Sequence, residues 1–173
     1  MTRAVAFMLA TSLVAAACTH DVHTMTIGQG QLVGHQGVSE LRCPLRLKAV
    51  VDGRGATGDS GGLGWNRVVV EDAPGLVRQQ LLEAGLHPAD AATGRDVVVT
   101  LKLMYLGQNN MTKNPVVVYE VVLDGGTPFL VRAQPTIANW DSTKGETVSA
   151  FSAALHQAND KLLAELNTRC DSR

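Results

Sequence analysis

The chain has 173 residues, a formal net charge of -1 at pH 7 and 18% charged residues. This length suits one folded domain with its own core, and the near-neutral charge excludes the basic surface on which nucleic-acid binding depends. Aromatic residues make up only 4% of the chain, which is too few for an extended surface that stacks on bases or sugars.

The N-terminus has the layout of an export signal. Arg3 precedes an apolar run over residues 4–17, which is too short to span a bilayer and ends in small residues. Cys18 follows Ala15-Ala16-Ala17 directly, and this resembles the lipobox of bacterial lipoproteins, although that family usually has leucine where Ala15 stands. The resemblance implies that residues 1–17 are a signal peptide and that acyl chains such as palmitate on Cys18 attach the protein to a membrane. The alternative is an ordinary signal peptide, cut at the same site, that leaves the Cys18 thiol unmodified.

Residues 18–42 are predicted to form a flexible tether. Residues 19–41 are rich in Gly, Gln, His and Thr and show no sustained apolar period, so we expect no regular structure there. His20, His23 and His35 lie in this segment, but no set of carboxylates and histidines at fixed spacing follows them. We therefore expect no metal and no cofactor.

The glycine-rich segment over residues 53–64, from Gly53 to Gly64, predicts an irregular loop. It contains Gly58-Asp59-Ser60-Gly61-Gly62, which copies the sequence around the nucleophile of chymotrypsin-like serine proteases. That chemistry needs a histidine base and an aspartate that orients it, and no histidine here has the alanine-histidine-cysteine setting of that family. We expect no catalytic residue. The alternative is a small envelope hydrolase that uses Ser60 or Asp52; otherwise Asp52 is expected to pair with Arg54 at the surface.

The remaining pattern predicts two helices and four strands. Asp72 and Pro74 open the first helix and Gly85 ends it, while Thr143 and Glu146 form a capping box at the start of the last helix. Alternating apolar residues predict strands over 45–51, 96–106, 116–123 and 129–133, the last three joined as an antiparallel meander. The order β-α-β-β-β-α predicts one α+β domain over residues 43–170, with a small, mostly antiparallel sheet, two helices on one face, and a tail over 171–173.

The strand over 96–106 has the strongest pattern in the chain. Its alternation predicts one face made of Val97, Val99, Leu101, Leu103 and Tyr105, and an opposite face that includes Met104.

Three cysteines allow one simple pairing. If the anchor uses Cys18, then Cys43 and Cys170 are exported together into an oxidising compartment, where we expect them to form a disulfide between the two ends of the domain. Two free thiols or an intermolecular dimer are the alternatives.

The order of elements resembles a bacterial family. A lipobox, a strand, a helix with the sequence Leu76-Val77-Arg78-Gln79-Gln80-Leu81-Leu82-Glu83-Ala84-Gly85-Leu86, a long strand ending Leu103-Met104-Tyr105, a hairpin and a last helix resemble the YajG-type uncharacterised lipoproteins over residues 45–166. The glycine-rich loop and the Cys43 and Cys170 pair depart from that family.

The resemblance implies an envelope lipoprotein without known catalytic residues. Thr19, rather than aspartate, follows Cys18, and similarity with enterobacterial lipoproteins then implies an outer-membrane location facing the periplasm. We expect a non-enzymatic, lipid-anchored module that binds an envelope protein or component. A lipid-carrier or transport-accessory subunit is the alternative, and it would need a sizeable apolar groove.

Overall fold

The computed structural model describes residues 23–32, 40–55, 59–63, 66–109, 111–138, 140 and 143–171. A single 3-10 turn, Gln29–Gln31, follows the first strand. The other elements are, in chain order, β1 (His23–Ile27), β2 (Leu45–Asp52), β3 (Asp59–Leu63), β4 (Asn66–Val70), α1 (Ala73–Glu83), β5 (Arg95–Gln108), β6 (Thr112–Leu123), β7 (Phe129–Ala133), β8 (Ile137–Ala138) and α2 (Lys144–Asp171).

All strands belong to one sheet with β5 at its centre. β6 is antiparallel to β5 along most of its length, and two shorter parallel strands share the other edge of β5, β2 beside its first half and β3 beside Leu106 and Gly107. β7 and β8 are antiparallel to β6, β4 is antiparallel to β3, and β1 is parallel to β4. This confirms an α+β fold with two helices and a mostly antiparallel sheet. The predicted order is incomplete, because the described residues form eight strands rather than four.

β1 lies inside the segment that we expected to be an irregular tether. It pairs with β4 from His23 opposite Asn66 to Ile27 opposite Val70, and Ile27 is fully buried. The expectation of no regular structure over residues 19–41 is therefore wrong for residues 23–31. Since so short a strand has too few apolar residues for a period of its own, its partner far along the chain determines its structure. Residues 18–22 and 33–39 lie outside the described residues.

β3 likewise corrects the expected glycine-rich loop. Gly61 has φ +86° and pairs with Leu106 of β5, where a Cβ atom would collide with the Leu106 carbonyl oxygen and lie 2.9 Å from its nitrogen. Glycine is needed here because two backbones approach closely, and not because the segment is loose. The pattern of glycines indicated a flexible loop, whereas in the structure the backbone of β3 packs closely against the backbone of β5.

A β-bulge changes which side chains of β5 face the core. The pairing with β6 shifts register between Leu101 and Leu103. Beyond that point Met104 is fully buried, while Leu103 and Tyr105 are 36% and 44% exposed on the opposite face. The prediction that Leu103 and Tyr105 share the face of Val97 is wrong, because an extra residue in one strand inverts the alternation beyond it.

Both helices pack on one face of the sheet. Asp72 caps α1 as predicted, by accepting a hydrogen bond of 3.1 Å from the Gly75 N–H. At the start of α2, Thr143 Oγ1 accepts one of 3.2 Å from the Glu146 N–H, which is one half of the predicted capping box, while the Glu146 carboxylate accepts from Trp140 and Lys113. The core between the helices and the sheet is apolar, and its fully buried members include Leu45, Leu47, Val77, Leu81, Val97, Val99, Leu101, Val117, Val121, Phe151, Leu155 and Leu162.

The two ends of the sheet are distinct. The first end holds the turn between β5 and β6, the start of α2 and the start of β1. The start of β1 lies here because His23 pairs with Asn66 and Asn66 pairs with Leu63. Leu63 is one residue beyond Gly62, which pairs with Gly107 near the end of β5. We call this the hairpin end. The opposite end, which we call the disulfide end, holds the starts of β2 and β5 and the last turn of α2.

Candidate functional site

The residues of the protease-like motif sit between β2 and β3. Arg54 donates to both carboxylate oxygens of Asp52, from Nε to Oδ1 at 2.9 Å and from Nη2 to Oδ2 at 2.8 Å. The predicted ion pair is therefore present, although the Arg54 side chain is only 6% exposed. Hydrogen bonds from Arg54 lower the pKa of Asp52, against the opposing effect of partial burial, and keep its carboxylate ionised.

Ser60 is fully buried beside this pair. Among the described residues, its hydroxyl has Arg54 as its partner, with Nη1 at 3.4 Å from Oγ. A guanidinium cannot accept a proton, so this contact does not activate the hydroxyl for attack. The contact instead links Ser60 of β3 to Arg54, which follows β2. Gly58 lies outside the described residues.

The described residues contain no group of three or more His, Cys, Asp or Glu side chains that could hold a metal ion. His23 is an exposed residue of β1, and His20 and His35 lie outside the described residues. The structure therefore adds no ligand to the His20 and His23 pair.

Cys43 and Cys170 are joined by a disulfide, with their Cα atoms 5.8 Å apart. Polar contacts also join the residues before β2 to the end of α2. The Asn167 side chain accepts from the Arg42 N–H at 2.9 Å and donates to the Glu40 carbonyl at 3.0 Å, and Arg42 forms an ion pair with Asp171. The end of α2 is thereby fixed to the start of β2, far from the glycine-rich segment. Cys18 lies outside the described residues.

The face of the sheet opposite the helices carries several large exposed apolar side chains. We call it the open sheet face; its large exposed side chains are Val51 on β2, Leu103 and Tyr105 on β5, and Leu130 on β7, which is 68% exposed. Smaller apolar residues flank them in the cross-strand pairs Val98 with Val122, Leu103 with Val118 and Tyr105 with Val116, while Thr100 and Glu120 lie between Val51 and Leu130. The sequence analysis missed this surface because the bulge in β5 creates part of it.

Charged residues lie both within and around the open sheet face. Glu120, opposite Thr100, is in its middle and lies 3.8 Å from Lys102 Nζ. Near the disulfide end, Val98 and Val122 lie in a shallow depression of about 460 Å³ that is also lined by Lys48, Asp96 and Asp124. Lys48 and Arg46 both donate to Asp96, and these hydrogen bonds lower the Asp96 pKa. The acidic groups of this depression are therefore already paired.

A groove of about 420 Å³ separates the edge strand β7 from α2. Lys161 Nζ donates to the Arg132 carbonyl at 2.9 Å, and the Arg169 guanidinium lies 4.0 Å from the centre of the Phe129 ring. Lys161 of α2 thus occupies one backbone carbonyl on the edge strand β7, and α2 partly covers this edge, which helps to protect the sheet from pairing with another strand.

Neither described helix is long and apolar enough to cross a membrane. No protein-family model matches the chain, and no curated protein matches it either.

Solved structures share the fold. Protein XCC0632 from Xanthomonas campestris, a DUF330 protein, superimposes with a TM-score of 0.55 at 9% identity, over 86% of this chain and 99% of that one. A second, uncharacterised protein has a TM-score of 0.48 at 10% identity, over 78% of this chain and 99% of its own. The fold is therefore one also found in a bacterial DUF330 protein. The YajG-type resemblance stays a prediction.

Proposed function

We propose that this protein is a lipid-anchored lipoprotein of the cell envelope that binds a protein partner through its open sheet face and catalyses no reaction. Acyl chains on Cys18 attach it to the outer membrane, and the folded domain faces the periplasm. The sequence supports the anchor, and the open sheet face supports the binding activity.

The open sheet face is the observation that carries the binding proposal. Its four large exposed side chains stand on β2, β5 and β7, with β6 between the last two strands, whereas two helices bury the other face. Exposed apolar side chains that gather on one face often mark an interaction site. A protein surface suits it, because its apolar side chains are interspersed with charged ones such as Glu120 and Arg132, and a non-obligate protein interface is about as polar as the rest of a protein surface.

Photo-crosslinking in cells tests the binding proposal. A crosslinking amino acid at Tyr105 should give one discrete protein adduct, and Leu130→Glu should abolish that adduct by placing a charge on the same face. The same crosslinker at Ser149, on the exposed side of α2, is the matched control. Equal adducts at both positions, or an adduct that survives Leu130→Glu, would contradict the proposal.

Fractionation tests the anchor. Acyl chains contribute about 0.8 kcal/mol per buried CH₂, so two or more chains hold a protein on a membrane durably. Cys18→Ser should move the mature protein from the membrane to the soluble fraction. Mature protein that keeps Cys18, stays soluble and carries no lipid mass would rule the anchor out.

A further inference from the structure

Two apolar side chains project from the hairpin end. Met111 and Trp140 are the most exposed large apolar residues of the described chain, at 77% and 87%. β8 brings them together. Ala138, the last residue of β8, pairs with Thr112, the first residue of β6; Trp140 comes two residues after Ala138 and Met111 one residue before Thr112. Neither residue belongs to the open sheet face or to the glycine-rich segment.

The position of Trp140 is built into the fold. Its backbone N–H donates to Glu146 Oε1 at 2.9 Å, and the other oxygen of that carboxylate accepts from Lys113 Nζ at 2.8 Å. The Lys113 side chain is fully buried, so this ion pair fixes the start of α2 against β6. The surrounding contacts therefore hold the backbone of Trp140 while its ring faces solvent.

The chain enters the domain at the same end. His23, the first residue of β1, lies five residues after Cys18, and a fully extended chain of that length spans at most about 18 Å. An acyl group on Cys18 therefore keeps His23 within that distance of the bilayer. β1 lies at the edge of the sheet, and the same end of β6 is four strands away.

The two ends differ in their ion pairs: the hairpin end has the Lys113 and Glu146 pair, whose lysine is buried, beside the exposed Lys144. The disulfide end carries the pairs of Arg42 with Asp171, Arg95 with Asp124, and Arg46 and Lys48 with Asp96. Burying such groups at a lipid surface costs free energy, whereas tryptophan favours the boundary between headgroups and acyl chains and an exposed methionine can bury apolar area there. Of the two ends, the hairpin end is the one suited to a bilayer.

We infer that the hairpin end is a membrane-contact surface, with Met111 and Trp140 resting in the headgroup region of the bilayer to which Cys18 is anchored. Because the strands run away from this end, the open sheet face then stands upright on the membrane, where a protein partner can reach it. This inference rests on the proposed anchor and specifies the orientation of the domain on it.

The test uses the mature chain coupled through the Cys18 thiol to maleimide-phosphatidylethanolamine in vesicles of phosphatidylethanolamine and phosphatidylglycerol. Chemical coupling makes the result independent of whether cells acylate Cys18. The fractionation experiment therefore tests the anchor, and this experiment tests the orientation of the domain, so that either proposal can be rejected without the other. The chain has two tryptophans, Trp65 and Trp140, and Trp65→Phe leaves Trp140 as the reporter. Its emission should shift to the blue, and lipids brominated in the upper acyl chain should quench it.

The control reporter lies at the other end. Trp65→Phe, Trp140→Phe and Asp90→Trp together place the single tryptophan in the exposed loop before β5, where brominated lipids should not quench it. Quenching of this reporter, or equal absence of quenching at both positions, would overturn the inference.

A second measurement does not depend on tryptophan reporters. Met111→Glu with Trp140→Glu should raise the rate of hydrogen exchange at the β5–β6 turn of the coupled protein to that of the free domain. If the double variant keeps this protection from hydrogen exchange in the absence of lipid, the protection comes from contact between copies of the chain. That result would also overturn the inference.

Discussion

Tyr119 on β6 donates a hydrogen bond of 3.1 Å to Asn159 on α2, and both side chains are completely buried. Asn159 in turn donates from Nδ2 to Gln80 Oε1 on α1 at 2.9 Å. These two bonds join the sheet and both helices inside an otherwise apolar core. A buried polar chain of this kind favours one packing arrangement of the helices over others, because any shift leaves a polar atom unsatisfied.

Tyr119→Phe should lower the free energy of unfolding by about 1–2 kcal/mol, since it leaves Asn159 Oδ1 without its buried donor. Tyr105→Phe is the matched control, because Tyr105 is exposed on the open sheet face and its loss should change stability by about 0.5 kcal/mol or less. Urea unfolding of the two variants and the parent measures the difference. Equal stabilities would show that the hydrogen bond adds nothing.

Tyr119 should also make the fold sensitive to alkali. Burial raises the Tyr119 pKa well above its usual value of about 10, so the native state keeps this proton after the unfolded chain has lost it. The stability due to the neutral phenol is complete below about pH 10 and falls above it by about 1.4 kcal/mol per pH unit.

The measurement compares Tyr105→Phe, in which Tyr119 is the remaining tyrosine, with Tyr105→Phe/Tyr119→Phe. Between pH 9 and 11 the first variant should lose stability more steeply than the second, and its tyrosinate absorbance should appear only on unfolding. Parallel pH profiles, or tyrosinate absorbance in the native state near pH 10, would contradict the assignment.

Gly61→Ala should destabilise the protein by about 3 kcal/mol or more. The added Cβ collides with the Leu106 backbone, and the positive φ is itself strained for alanine by about 1–2 kcal/mol. Gly55→Ala separates the two effects, because Gly55 has φ +94° but open space around its Cβ position. Thermal unfolding should show a much larger loss for Gly61→Ala. Similar losses would mean that β3 does not need this close approach.

Local patterns predicted the elements whose evidence is local. The caps at Asp72 and Thr143, the apolar stripe of α2 and the alternation of β6 each depend on neighbours within a few residues, and the structure has these elements. β1 and β3 could not be predicted, since both depend on pairing with distant strands. The bulge at Leu101 and Leu103 also leaves no local signal, and it decides which side chains form the open sheet face.

The candidate surfaces were less predictable than the fold. Exposed apolar residues such as Leu130 have the same sequence signature as buried ones, so only the packing of the helices reveals which face stays open. Trp140 had one available signal, a rare residue in a turn segment between two predicted elements. Its role at the hairpin end depends on the distant contact of Glu146 with Lys113.

The Cys43 and Cys170 disulfide should contribute substantially to stability. The chain-entropy model for two residues separated by 127 positions gives at most about 5 kcal/mol, reduced by any structure in the unfolded chain. The oxidised monomer should resist alkylation and melt at a higher temperature than the reduced protein or Cys43→Ala/Cys170→Ala. Contacts of Arg42 and Asn167 across the same ends reduce the loss, so Arg42→Ala added to Cys43→Ala/Cys170→Ala should lower the melting temperature further. Alkylation of both cysteines in the native protein would exclude the bond.

Ser60 should not react as a nucleophile, although five residues around it copy a protease motif. Its hydroxyl is fully buried, and its partner is the Arg54 guanidinium, which already forms two hydrogen bonds with Asp52. A serine needs both access to substrate and a base that accepts its proton, and a cation supplies neither. A fluorophosphonate probe should therefore leave the native protein unlabelled while trypsin in a parallel reaction is labelled. Ser60→Ala should cost about 0.5–1.5 kcal/mol of stability through the lost contact with Arg54. Stoichiometric labelling that disappears in Ser60→Ala would instead favour the envelope hydrolase.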